Sequence, residues 1–198
     1  MANTNRPNGF RFVGMADGAS PNGAVNQYLV PAADGTALFV GDAVKAGGTT
    51  GAAGVTVNGQ DMEGVPTVIQ AAAGDQLRGV VVGFLPLQSD LTVLHRVAST
   101  NRVALVCDSP NAIFEVQEDS LGAALAAVDF GENADIIVNA GSTTTGQSGM
   151  MLDSSDHKTA TAQIRILSLV KRPDNAIGAL AKILVMINEH DLKSTTGA

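Results

Sequence analysis

Val80-Val81-Val82-Gly83-Phe84-Leu85, Leu91 to Val97, Val103-Ala104-Leu105-Val106-Cys107 and Ile113-Phe114-Glu115-Val116 are four apolar runs in which β-branched residues are common. They recur at intervals of roughly ten residues with turn signals between them, the spacing of an all-β sandwich or barrel rather than of alternating strand and helix. Working outward, the same pattern continues in both directions. Upstream lie Tyr28-Leu29-Val30, Ala37 to Val40, Ala43-Val44, Val55-Thr56-Val57 and Thr67 to Gln70. Asn58-Gly59 follows Val57, and this pair favours the tight turn of a two-residue hairpin. Downstream lie Asp135 to Val138, Met150-Met151-Leu152, Ala162 to Val170 and Ile183 to Ile187. In the third of these, Ile164 and Ile166 alternate with Gln163 and Arg165, as a half-buried strand requires. Ile183 to Ile187 is continuously apolar, a strand buried on both faces or a short buried helix, and its β-branched residues and length favour the strand.

Three segments interrupt the pattern. Gly47-Gly48 and Gly51 to Gly54 read as a small-residue loop, and Asn139 to Gly149 as a Ser/Thr/Gly loop, mobile or lying on a partner. Ser120 to Val128 is the best helix candidate, with Asp119 or Ser120 as its cap and Gly131 as its stop. The expected fold is therefore all-β: a β-barrel or sandwich-like core with one short helix near 120–128. Residues 1–26, rich in Gly, Pro and Asn, read as an extended N-terminal arm. Residues 27–190 form the β-rich core, and residues 191–198 a polar C-terminal tail.

Composition narrows the function. The chain of 198 residues carries 12 Lys and Arg against 19 Asp and Glu, net −7, with no cluster of basic residues that would point to nucleic acid. One cysteine rules out an internal disulfide framework, and no apolar run reaches the roughly 20 residues a membrane helix needs. The N-terminus lacks the apolar stretch of a signal peptide. Only 16% of residues are charged, which leaves little to dress a large wet surface and suits a protein that hides surface in an assembly.

A search for catalytic or cofactor chemistry returns no candidate. Cys107 ends an apolar run and reads as a buried structural thiol. Gly146-Gln147-Ser148 fails the serine-elbow pattern, because Met150 stands where its last glycine is needed. His95, His157 and His190 lack metal-ligand spacing, and Asp153-Ser154-Ser155-Asp156 reads as a solvated turn. Glu115, Glu118 and Asp119 form the densest acidic cluster, expected to close a strand, cap the helix or face a basic partner. Glu189 and His190 read as exposed. An aromatic-bearing arm must dock on something, its own domain or a neighbouring subunit, which makes Arg6, Phe10 and Phe12 contact candidates, and the pair Lys171-Arg172 before Pro173 reads as an interface contact or a solvated turn.

The order of several stretches resembles a family of tailed-bacteriophage capsid decoration, or cement, proteins. These are Ser20 to Tyr28, Ala37 to Val44, Gly79 to Phe84, Phe114 to Asp119 and Arg172 to Gly178. The resemblance implies a β-rich homodimer or homotrimer that binds the outer surface of an icosahedral shell and clamps adjacent major capsid subunits. It implies a place on the virion exterior after synthesis in the host cytoplasm. It implies no catalysis and brings no site residue with it. The alternative is a host-surface or carbohydrate-binding module displayed on the virion. One Tyr and no Trp supply poor sugar platforms.

Overall fold

The computed structural model describes residues 3–20, 23–155 and 157–193. In chain order its strands are β1 (Arg11–Met15), β2 (Asn26–Val30), β3 (Ala43–Thr50), β4 (Thr56–Val57), β5 (Gln60–Asp61), β6 (Pro66–Gln70) and β7 (Gly79–Phe84). There follow β8 (Arg102–Cys107), β9 (Ala112–Gln117), β10 (Asn133–Ala134), β11 (Ile136–Ile137), β12 (Met151–Leu152), β13 (Ile164–Leu169) and β14 (Lys182–Ile187). Strands β2-β6-β3-β7-β8 close into a barrel, and β1-β9-β14-β13-β10 form a five-stranded sheet packed on its wall. The all-β class with a sandwich-like core is what the apolar spacing predicts.

Side-chain alternation makes the barrel wall serve two cores. Val44, Val81, Ala104 and Val106 point into the barrel with Tyr28 and Val30. Their neighbours Ala43, Val80 and Cys107 point out, against Phe114, Ile164, Ile183 and Val185 of the sheet. A bulge between Val81 and Gly83 resets the alternation, and Phe84 packs inward again. On another face Leu29 and Val103 pack under the β4–β5 hairpin through Val57 and Met62. Asn58 (φ 52°) and Gly59 (φ 78°) both take the left-handed backbone its tight turn demands.

Ile183 to Ile187 is a strand, but it is buried on one face. Ile183, Val185 and Ile187 are buried, while Leu184 and Met186 stay half-buried on the outer face of the sheet. Small residues do not break β3, which runs through Gly47-Gly48 to Thr50 with an irregularity between Ala46 and Thr50.

The helix expected near 120–128 does not form. Ser120 to Ala126 is irregular, and a single 3₁₀ turn covers Ala127–Asp129. Leu121 and Val128 are exposed, and Leu125 alone among the larger side chains is buried, so a helix here would have no apolar stripe to bury. Side chains take its amides instead: Leu121 donates to Asp119, Gly122 to Ser154 Oγ and Ala126 to Asp129.

Leu91 to Val97 is a loop rather than a strand, with Leu91, Leu94 and Val97 exposed. Two buried arginines hold it. Arg96 donates to the carbonyls of Pro31, Asp34, Thr36 and Thr100. Arg102 donates to those of Leu85, Val93 and His95. The Asn139–Gly149 loop docks on its own barrel, where Val40 exchanges backbone bonds with Gly146 and Ser148.

The arm joins the fold. Residues 11–15 are β1, the edge strand paired antiparallel with β9. Gly9 and Gly41 approach so closely that a Cβ at Gly9 would lie 2.5 Å from the Gly41 carbonyl oxygen, and the Phe10 amide donates to that oxygen at 2.8 Å. Of the expected tail, Asp191–Lys193 is a 3₁₀ turn in which Asp191 pairs with Arg78 at 2.6 Å. Residues 194–198 lie outside the described residues.

Candidate functional site

The start of the arm crosses the end of β9 and meets the loop between β13 and β14. Gln117 is the junction. Its side-chain oxygen accepts from the Arg6 amide, and its side-chain nitrogen donates to the carbonyls of Thr4 and Leu180. Asn3 donates to the Ala176 and Ala179 carbonyls and accepts from the Ala176 amide. Asn175 makes the same kind of three-way bridge to Val170 and Lys182. Amide side chains suit such junctions because each both donates and accepts.

Between these segments lies a cleft of about 520 Å³, lined among others by Arg6, Gln117, Arg172, Asp174, Asn175 and Lys182. It brings together two of the expected contact residues, Arg6 and Arg172. Lys171 is exposed and does not line it. Arg172 pairs with Glu115 on β9. Arg6 and Lys182 have no ion-pair partner among the described residues, nor does Arg11 on β1. A second, mostly apolar groove of about 450 Å³ runs beside β1, between it and the barrel, and Phe12, Val25, Val40 and Val82 line it. Asn8 borders both, so cleft and groove form one continuous face.

Phe10 corrects the contact list. It is 2% exposed and belongs to the main core, so its ring is committed to folding. Phe12 is half-buried, packs at 6.0 Å from Phe114 and keeps an edge in the groove. Lys182, Gln117, Asn175 and Arg11 were missed at the sequence level. Lys182 joins the cleft because β14 pairs with β9, which sets it opposite Gln117, 65 positions away in the chain.

The acidic cluster is engaged or buried within the chain. Glu115 is engaged by Arg172, while Glu118 and Asp119 are buried. Asp119 accepts from the Ser154 amide and hydroxyl, fixing the turn after β12 instead of capping a helix. Glu118 is fully buried, 3.4 Å from His157 Nε2, and His157 Nδ1 lies 3.2 Å from Asp129. Burial, helped by the charges of Asp119 and Asp129, pushes the Glu118 carboxyl up to about 7. His190 is also buried, with Nδ1 accepting from the Leu192 amide, contrary to its exposed reading. Burial raises the Cys107 thiol, which is 1% exposed. Asp153 holds the Ser155 amide and hydroxyl in a local turn, and Asp156 lies outside the described residues.

Among the described residues no group of three or more His, Cys, Asp or Glu could hold a metal ion, and no helix is long and apolar enough to cross a membrane. The cleft lining offers guanidinium, ammonium and amide groups, which recognise carboxylates and backbone. Fold and site together describe a barrel-and-sheet protein with a cation-lined cleft and an apolar groove near an edge strand. No family model, curated protein or solved structure matches this chain.

Proposed function

We propose that the chain is a viral structural protein that binds the outer surface of a tailed-bacteriophage capsid and stabilises it by clamping adjacent major capsid subunits. The observation that carries this reading is the continuous face of cleft and groove, lined by Arg6, Arg172, Lys182 and Phe12, on a chain of net charge −7. The ordered stretches that resemble decoration proteins point the same way. The mechanism is linkage: a ligand that binds only the assembled shell stabilises it by mass action. A homodimer or homotrimer spanning subunit seams adds multivalency. No reaction, cofactor, nucleic acid or membrane enters the proposal.

The test is to add the purified protein to shells stripped of their decoration and to measure co-sedimentation and the shell's melting temperature. Saturable binding in fixed proportion to capsid subunits, with a raised melting temperature, is expected. A protein that stays in the supernatant, or that binds a glycan array but not shells, overturns it.

A further inference from the structure

We infer that the face beside β1 receives an extended acidic segment of a protein partner, laid as an added strand on the free edge of β1 with its carboxylates in the Arg6–Lys182 cleft. This rests on the capsid reading only for the identity of the partner; the chemistry of the site stands on its own residues.

The sheet ends at β1, so one edge of Arg11–Met15 pairs with β9 and the other has no ladder partner among the described residues. An unpaired edge is a template for another strand. A bulge between Phe12 and Gly14 disturbs the second half of β1, which leaves Arg11 and Phe12 as the regular stretch. The apolar groove lies beside those same residues. Alternate side chains of an added strand would point into it, against Phe12, Val40 and Val82.

Charge selects the occupant. Arg6, Arg11, Arg172 and Lys182 surround the face against two carboxylates, Glu115 and Asp174. Glu115 is already spent on Arg172. The three remaining unpaired cations gather on one face of an acidic chain, which favours a partner segment carrying Asp or Glu. The apolar groove adjoining them favours a peptide over a nucleic acid backbone.

The probe is a fluorescein-labelled ten-residue peptide of alternating Val and Thr with two Glu at one end. A Gln counterpart, a version N-methylated along one edge and a labelled single-stranded oligonucleotide complete the set. Anisotropy titrations use the full chain and its Arg6→Glu/Lys182→Glu variant, two surface changes that leave the core intact. The Glu peptide is expected to bind about tenfold tighter than the Gln peptide, one well-placed ion pair's worth. Rising salt should erase that margin, and N-methylation should abolish binding. The double variant should lose the preference for Glu. Amide shifts should centre on residues 10–15. Equal binding of Glu and Gln peptides, an unchanged preference in the double variant, full binding after N-methylation, or tighter binding of the oligonucleotide overturns the inference.

The shell assay separates the two readings. If wild-type protein and the double variant bind shells equally, the strand-addition site falls and shell binding stands, but through a face other than the Arg6–Lys182 cleft. If the peptide behaves as expected while shells take up no protein, the site stands and the capsid reading falls.

Discussion

Two sets of cations in this molecule do opposite work. Arg96 and Arg102, behind the 86–101 loop, are buried, and their guanidinium nitrogens are spent on backbone carbonyls. Arg6 on the arm, Arg11 on β1 and Lys182 on β14 stay solvated and without an ion-pair partner among the described residues. The first set replaces regular secondary structure. A loop with few ladder bonds leaves carbonyls to satisfy, and one planar fork with five donors satisfies several of them at once. The second set adds nothing comparable to folding and stays available to the proposed partner. Partners, not residue type, separate structural from available charge.

The sharpest way to break that division is Arg96→Ala. It leaves the carbonyls of Pro31, Asp34, Thr36 and Thr100 without their donor and should cost about 3–5 kcal/mol in urea unfolding. Arg96→Lys should recover only part, because a single ammonium cannot span the same fork. A loss under about 1 kcal/mol would show that the loop is held by something else. Phe10 tests the same boundary inside the arm. Phe10→Ala should cost about 3 kcal/mol as a core truncation, and Phe12→Ala, half-exposed, about 1 kcal/mol. Equal losses would mean that the arm is not divided between core and binding face.

Glu118 carries the comparison over to carboxylates. Its folded pKa of about 7 lies above the ordinary 4.5, so the folded state holds a proton that the unfolded chain releases between those values. Its contribution is full below pH 4.5 and is lost as pH rises to 7, by up to about 3 kcal/mol. The facing groups are Asp119 on the same segment, Asp129 on the 3₁₀ turn and His157 after β12. Glu118→Gln should flatten the stability profile between pH 5 and 8 and raise the urea midpoint at pH 8. An unchanged slope would assign that pH dependence to other groups. The smallest effect is expected at the free cations. Arg6→Ala and Lys182→Ala should each change stability by no more than about 0.5 kcal/mol. A larger loss in thermal unfolding would move them into the structural set.

Much of this division was out of reach of the sequence. Arg6 and Arg172 could be named as contact candidates because an arm and a turn are exposed by default. Lys182 could not, since it begins an apolar strand, and only the β9–β14 pairing carries it to the cleft. Phe10 and Phe12 look alike two positions apart; the Gly9–Gly41 approach drives the first into the core. His190, three residues from the end of the described chain, is buried because Leu77 pairs with it as an isolated bridge.

The sequence by itself determined the all-β class, the β4–β5 hairpin turn and most strand positions. Those rest on short-range facts: two-residue alternation, β-branched stiffness and the left-handed tolerance of Asn-Gly. Tertiary structure decided the rest. It closed five strands into a barrel, made β1 an edge, dissolved the helix at 120–128 and left Leu91 to Val97 as a loop. In each case a long-range partner outbid a local preference of a few tenths of a kcal/mol per residue. Ser154 reached the turn after Asp119 from 35 positions away, and Arg96 reached the Pro31 carbonyl across 65.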